Sequence, residues 1–222
     1  MSNYIIRKAT LNDISFLADA IIAAEKSNTE KLSLSTLFNL NEEAVRDYII
    51  AVLDEEIDGC EFSVSSFLVT EFNGELVAAV GGWIEGLTEK NPSRILKSNL
   101  IGFVFPRESI EFVQQHVDVV KDIQIEREKF CLQIEYVYVD AAHRGKRLAE
   151  SLINEHINLG VLEYPELNKA QVQVFSNNQS AVKLYERTGF SIAKAFKSEN
   201  NQILDFLPFS EKLLMEKNIS HG

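Results

Sequence analysis

The chain has 222 residues, 45% of them apolar, and a formal net charge of −11 at pH 7. This length and apolar content suffice for a globular core, so an intrinsically disordered chain is not expected. The acidic balance argues against nucleic-acid binding, because a phosphate backbone requires a basic protein surface.

The apolar runs are too short to cross a membrane, and Met1–Thr10 lacks the apolar centre of a signal peptide. We therefore expect a cytoplasmic protein with no membrane partner. Cys60 and Cys131 are the only cysteines. In a chain of this size, free buried thiols are favoured over a disulfide.

The chain begins with a pattern typical of a strand followed by two helices. Tyr4–Ala9 is apolar enough for a short strand, and Thr10 with Asp13 fits a helix cap that leads into apolar residues at helical spacing. A stretch without clean periodicity, 26–40, then precedes a second amphipathic helix that begins at Asn41.

A β-hairpin follows, because Asn73-Gly74 stands between two apolar runs, 67–72 and 76–84. Gly81 and Gly82 interrupt the second run. A β-bulge is the favoured explanation for these glycines, and close approach by another chain or a ligand is the alternative.

The segment 85–128 is the least regular part of the chain. Pro92 and Pro106 interrupt it. Its apolar residues at helical spacing predict at least one helix, and they are Ile110, Val113, Val117 and Val120. His116 falls within that helix without a second ligand at metal-binding spacing, so no metal site is expected.

The C-terminal half alternates strands with helices. A strand at 130–139 precedes a basic turn, Arg144–Arg147, and an amphipathic helix that continues to Leu159. The remaining predicted elements are a strand at 170–175, a helix at 178–188 ended by Gly189, and strands at 190–196 and 212–219.

The basic turn is the first candidate binding site. A helix N-terminus presents unpaired backbone N–H groups and a partial positive charge. Arg144, Gly145, Lys146 and Arg147 add three cations and a flexible residue at this end of the helix. The pattern therefore predicts a site for an anion such as a phosphate.

Two motifs give a resemblance to a known family. The first, VDAAHRGKRLA at Val139–Ala149, is similar to a Q/R-x-x-G-x-G/A motif that follows a strand. The second, NQSAVKLYERTGF at Asn178–Phe190, matches N-x-x-A-x-x-L-Y-x-x-x-G-F at every named position. In this order and spacing, they resemble the motifs of the GNAT superfamily of acyl-CoA-dependent N-acetyltransferases.

The resemblance implies an α/β fold. Its mixed central sheet would have about seven strands, mostly antiparallel, with a splayed parallel pair and helices on both faces. The chain, 1–222, would form a single N-acetyltransferase domain, and 85–128 would be a helical insertion between the third and fourth strands.

The resemblance also implies acetyl-CoA as the acyl donor, bound where the strands 132–139 and 170–175 separate. The backbone of the first strand would pair with the pantetheine arm, and amides of the basic turn would hold the pyrophosphate. The implied donor-binding residues are Val137, Tyr138, Val139, Arg144, Gly145, Lys146, Arg147, Leu148, Ala149, Asn178 and Tyr185. Arg147 stands where the motif usually has a glycine, so it either has a helical φ or the turn differs locally.

Two residues are candidates for catalysis. Tyr185 occupies the family's tyrosine position, where its hydroxyl can donate a proton to a leaving thiolate, and a packed core aromatic is the alternative. Glu135 interrupts an apolar strand. Period two places it on the same face as Val137 and Val139, where it is either the amine's proton acceptor or part of a structural ion pair.

The sequence therefore predicts direct transfer of an acetyl group from acetyl-CoA to a primary amine of a small molecule or peptide. A non-catalytic acyl-CoA-binding or regulatory module is the alternative, and it would not need Tyr185 and Glu135. The net acidity mildly favours a cationic acceptor. Oligomeric state is left open, with a homodimer among the options.

Overall fold

The computed structural model describes residues 4–87 and 92–219. These residues form a seven-stranded sheet in the order β1-β2-β3-β4-β5-β7-β6. The strands are β1 (Tyr4–Lys8), β2 (Phe67–Phe72), β3 (Glu75–Ile84), β4 (Leu132–Val139), β5 (Lys169–Phe175), β6 (Ser191–Lys197) and β7 (Glu211–Asn218). All neighbours pair antiparallel except β4 and β5, which confirms the expected mixed sheet.

Helices cover both faces of the sheet. They are α1 (Ile14–Glu25), α2 (Ser33–Phe38), α3 (Glu42–Asp54), α4 (Ser93–Val104), α5 (Arg107–Val120), α6 (Leu148–Glu163), α7 (Gln179–Arg187) and α8 (Ile203–Phe206). One apolar cluster packs α1, α3 and α4 against one face, and a second packs α6 and α7 against the other. Within the two described ranges, no helix is both long and apolar enough to span a bilayer.

The predicted elements are largely present. The hairpin turn falls at Asn73-Gly74, where both residues have positive φ, and Cys60 and Cys131 are buried free thiols, as expected. The short helices α2 and α8 were not predicted. The segment between β3 and β4 contains two helices, α4 and α5, and its residues 88–91 lie outside the described part of the chain.

The parallel pair β4 and β5 stays together for only three residue pairs. Pairing begins at Leu132 and Ala170 and stops at Ile134 and Val172. An extra residue in β4 shifts its register against β3, because Ala79 faces Tyr138 whereas Gly81 faces Glu135. Such a bulge bends the strand that carries it. The C-terminal ends of the two strands therefore separate, as the predicted splay requires.

Tyr136 lies in this bulge with φ of 52°, a conformation that bulky residues rarely adopt. As a result Tyr136 and Glu135 both point to the face covered by α1, α3 and α4, whereas Val137 and Val139 pack toward α6. The expectation that Glu135 shares a face with Val137 and Val139 is thus wrong, because the bulge breaks the period of two. Tyr138 packs in the first cluster, edge-on to Phe16.

Close approach by α6 explains Gly82, since a Cβ there would lie 2.6 Å from Nδ1 of His156. The favoured bulge at Gly81 and Gly82 is wrong in position, because both glycines pair regularly with β4 and the extra residue lies in β4, across from Val80. Nε2 of the buried His156 is 2.9 Å from the carbonyl oxygen of Val80, to which it donates. This contact joins α6 to β3.

We expect this histidine to make stability depend on pH. Burial lowers the pKa of His156 to about 4 from its ordinary 6.5, so the unfolded chain binds a proton that the folded chain rejects. The contribution is complete above pH 6.5 and is lost as pH falls toward 4, by at most about 3 kcal/mol. Urea unfolding of wild type and His156→Gln across this range measures it.

The variant should show a shallower loss of unfolding free energy than wild type between pH 6.5 and 4. His116→Gln is the control, because His116 is only partly buried against Phe112 and Phe206, and it should keep the wild-type slope. Equal slopes in His156→Gln and wild type would contradict the expectation.

Candidate functional site

A groove of about 1080 Å³ runs past the splayed strands, at the upper end of the range for ligand pockets. It brings together residues from distant parts of the sequence. Predicted site residues that line it are Glu135, Val137, Tyr138, Val139, Arg144, Gly145, Arg147, Leu148, Ala149, Asn178 and Tyr185. Lys146, the remaining predicted residue, is exposed and is not part of the lining.

The basic turn approaches the groove through two residues with positive φ, Gly145 at 76° and Arg147 at 60°. Arg147 has ψ of 23°, so it is left-handed and immediately precedes the first residue of α6. Of the two alternatives, a helical φ at Arg147 or a turn that differs locally, the first is excluded. The position has the left-handed conformation that favours glycine, but an arginine occupies it. The Arg147 side chain is exposed and lines the groove.

The first turn of α6 provides unpaired amides. The N–H groups of Leu148, Ala149 and Glu150 have no acceptor among the described residues, and all three residues line the groove. Arg144 turns back on the strand, and its Nε donates to the carbonyl oxygen of Val139 at 3.2 Å. Unpaired amides, the positive end of the α6 dipole and two arginines line this end of the groove, a set of groups typical of anion sites.

Tyr185 lies on α7 and is buried with its ring edge-on to Phe190 at 6.0 Å. Burial raises the pKa of Tyr185, and the negative charge of Glu135 raises it further. The hydroxyl is therefore kept protonated, as a proton donor must be. Asn178 caps α7, because its Oδ1 accepts from the amide of Ala181 at 3.2 Å.

Glu135 is held by an ion pair. Its Oε1 accepts from Arg127, whose same nitrogen donates to Oε1 of Glu61 at 3.0 Å. The other carboxylate oxygen of Glu135, Oε2, has no hydrogen bond within the described part of the chain. Glu135 lines the groove with its side chain 17% exposed. One oxygen is thus fixed in place while the carboxylate still faces the groove.

Arg127 is the centre of a buried charge network. Besides the two carboxylates, it contacts Oγ of Ser93 at 3.2 Å and stacks over Trp83 at 4.9 Å. Glu61 is fully buried and also binds Lys97 at 2.8 Å. Burial favours the neutral acid of Glu61, but Lys97 and Arg127 outweigh burial and lower its pKa to about 2.

Two further charged residues face the groove, Glu25 at the end of α1 and Lys212 in β7. Together with Lys97 and Arg127, they were missed by sequence reasoning. Glu61 has only two apolar neighbours, Cys60 and Phe62, in a largely polar stretch, so it stands out less in the sequence than Glu135 does. The lysines are ordinary surface-type residues in the sequence and gave no signal.

Comparison with known proteins places these features in context. A model of the acetyltransferase (GNAT) family matches residues 33–190. Among solved structures, an N-acetyltransferase from Staphylococcus aureus Mu50 has a TM-score of 0.65 and 17% identity, covering 96% of this chain and 99% of that chain. The structure of yncA from Salmonella typhimurium, with its cofactor acetyl-CoA, has a TM-score of 0.53 and 13% identity, covering 100% and 96%.

A third acetyltransferase structure has a TM-score of 0.57 and 17% identity, covering 97% of this chain and 100% of that chain. At these identities the solved structures show a shared fold. No curated protein matches the sequence.

Proposed function

Because the chain belongs to the acetyltransferase (GNAT) family, whose acyl donor is acetyl-CoA, we propose that it transfers the acetyl group directly to a primary amine of a small molecule or peptide. One observation carries the proposal: a protonated tyrosine and a fixed carboxylate, Tyr185 and Glu135, line the same groove as the anion-binding turn. An acyl transfer needs both groups, whereas binding alone needs neither.

The groove fits the donor. Amides of Leu148–Glu150, with Arg144 and Arg147, would hold the pyrophosphate. The edge of β4 beyond Ile134, left unpaired by β5, would hydrogen-bond the pantetheine arm as an added strand does. When bound, acetyl-CoA supplies a thioester whose acetyl group the amine attacks and whose thiolate departs.

Tyr185 protonates the departing thiolate. Its raised pKa supports this role, because the hydroxyl stays protonated throughout the range in which an amine begins to lose its proton. Burial in the apolar cluster beside Phe190 fixes the direction of the ring. The hydroxyl is the one part of the side chain that transfer requires.

Glu135 accepts the proton of the attacking amine, directly or through a water molecule. Arg127 fixes Oε1 of the carboxylate, which leaves Oε2 to face the acceptor. The ion pair of Glu135 and its role as proton acceptor are therefore compatible, although the sequence alone presents them as alternatives.

Release of CoA thiol from acetyl-CoA in the presence of a panel of primary amines tests the proposal. The panel should include amino acids, polyamines and short peptides, with mass spectrometry of the acetylated product. Tight binding of acetyl-CoA without release in any member would favour the non-catalytic module instead.

We expect Arg147→Gly to raise stability while weakening donor binding. Glycine relieves a left-handed arginine, which should raise the unfolding free energy by about 0.5–1 kcal/mol. Loss of the guanidinium should weaken CoA binding about two- to fivefold at low salt, and less at high salt. Urea unfolding and titration calorimetry measure the two effects.

Arg147→Gln separates the two causes, because it removes the charge but keeps the side-chain strain. It should weaken CoA binding to the same degree without gaining stability. If both variants were equally stable, the left-handed conformation of Arg147 would carry no measurable cost.

A further inference from the structure

A carboxylate and an ammonium group in the groove have no hydrogen-bond or ion-pair partner among the described residues. Glu25 and Lys212 both line it, and neither forms a hydrogen bond or an ion pair with another described residue. The neighbouring charges differ in this respect, since Lys97 is bound by Glu61 at 2.8 Å and Glu135 by Arg127. Glu25 and Lys212 are thus free to meet a ligand.

Burial disfavours the charged form of both groups. Burial raises the pKa of Glu25, opposed by Lys97 and Lys212. Burial lowers the pKa of Lys212, opposed by Glu25 and Glu135. Each charge thus affects the pKa of the other, although no ion pair joins the two groups. Nζ of Lys212 lies 4.8 Å from the ring centre of Phe175. A partly dehydrated ion without a partner gains more from a ligand of opposite charge than a solvated ion does.

The donor does not account for these groups. Its phosphates are the charged part of the molecule, and the turn with the N-terminus of α6 provides their site. The pantetheine arm and acetyl group are uncharged, so neither can form an ion pair with Lys212 or Glu25. The partner of these two residues is therefore the acceptor.

We propose that the acceptor is an amino acid or a related compound that carries a carboxylate as well as the reactive amine, with the carboxylate on Lys212 and the incoming ammonium group on Glu25. The inference rests on the proposed function and narrows its acceptor. An acceptor with a carboxylate differs from the cationic acceptor that the net charge of the chain predicts. Charges inside the groove outweigh those of the distant surface, which salt screens beyond about 10 Å.

A comparison of amino acids with their carboxamides tests the inference. Glycine, β-alanine, γ-aminobutyrate and the common L-amino acids are each assayed beside the corresponding amide, by release of CoA thiol, with rates corrected for the amine pKa. We expect the best amino acid to exceed its amide at least about tenfold in kcat/KM, because the amide cannot form a charge-assisted bond with Lys212.

Lys212→Met should remove this preference. Its kcat/KM for the amino acid should fall at least about tenfold while that for the amide stays within about twofold, and Lys212→Arg should retain most of the preference. Calorimetric titration of the same amino acid into protein loaded with CoA should show weaker binding in Lys212→Met. Lys217→Met is the matched control, since Lys217 lies on the same strand but not in the groove lining.

Equal use of amino acids and amides by the wild type would overturn the inference and leave the proposed acetyl transfer intact. An equal fall for both acceptors in Lys212→Met would also overturn it, by showing a structural role for the lysine. Absence of CoA release with every amine, despite donor binding, would overturn the inference together with the proposed function.

Discussion

Tyr185→Phe is expected to lower kcat by about 10²–10³-fold, because the thiolate must then leave without a positioned proton donor. The phenyl ring fills the same space and keeps its contact with Phe190. Folding and donor binding should therefore change little, and the dissociation constant of CoA should stay within about twofold. Steady-state kinetics and calorimetry on the same preparation give both values.

Tyr48→Phe is the matched control, because Tyr48 is a partly buried tyrosine that packs against Phe105, outside the groove lining. It should keep the wild-type kcat. Wild-type turnover in Tyr185→Phe would remove the hydroxyl from the mechanism and restore the alternative of a packed core aromatic. A matching loss of CoA affinity would indicate a binding role instead.

Arg127→Met is expected to lower the unfolding free energy by about 3–5 kcal/mol, because it leaves a buried carboxylate network without its central cation. Glu61 is fully buried and would depend on Lys97 alone. Glu135 would lose its partner at the edge of the groove. Urea unfolding at pH 7 measures the change.

Arg107→Met is the matched control, since Arg107 forms a 2.8 Å ion pair with Glu111 but its side chain is 89% exposed. It should cost less than about 1 kcal/mol. The cost of Arg127→Met should also shrink as pH falls from about 4.5 toward 2, because the lowered pKa of Glu61 makes its stabilising contribution disappear in that range. A cost below about 1 kcal/mol at pH 7 would show that the network contributes little.

The end of the groove proposed for the donor could be predicted from sequence because its determinants are local. The turn Arg144–Arg147 follows a strand and precedes a helix within a dozen residues, so amides and cations of one segment make the site. Asn178 and Tyr185 share a single helix, α7, where spacing fixes their relation. Each of these residues lines the groove as expected, apart from Lys146.

The end proposed for the acceptor could not be predicted, because residues distant in the sequence form it. Glu25 and Lys212 are separated by most of the chain, and only the sheet order brings α1 and β7 to one groove. The side-chain direction of Glu135 was predicted wrongly for a related reason. The bulge at Tyr136 is defined by pairing with β3, and no local pattern in β4 reveals it.

Only three residue pairs join β4 to β5, so the sheet consists of a four-stranded part and a three-stranded part that meet at a short stretch of pairing. A donor whose pantetheine arm bonds to the open edge of the four-stranded part, and which also contacts the three-stranded part, would connect the two parts a second time. Donor binding and the cooperativity of unfolding are then thermodynamically linked, since a ligand that binds only when both parts of the sheet are folded stabilises that state by mass action. The gap proposed for the donor thus opens beside the shortest strand pairing in the sheet.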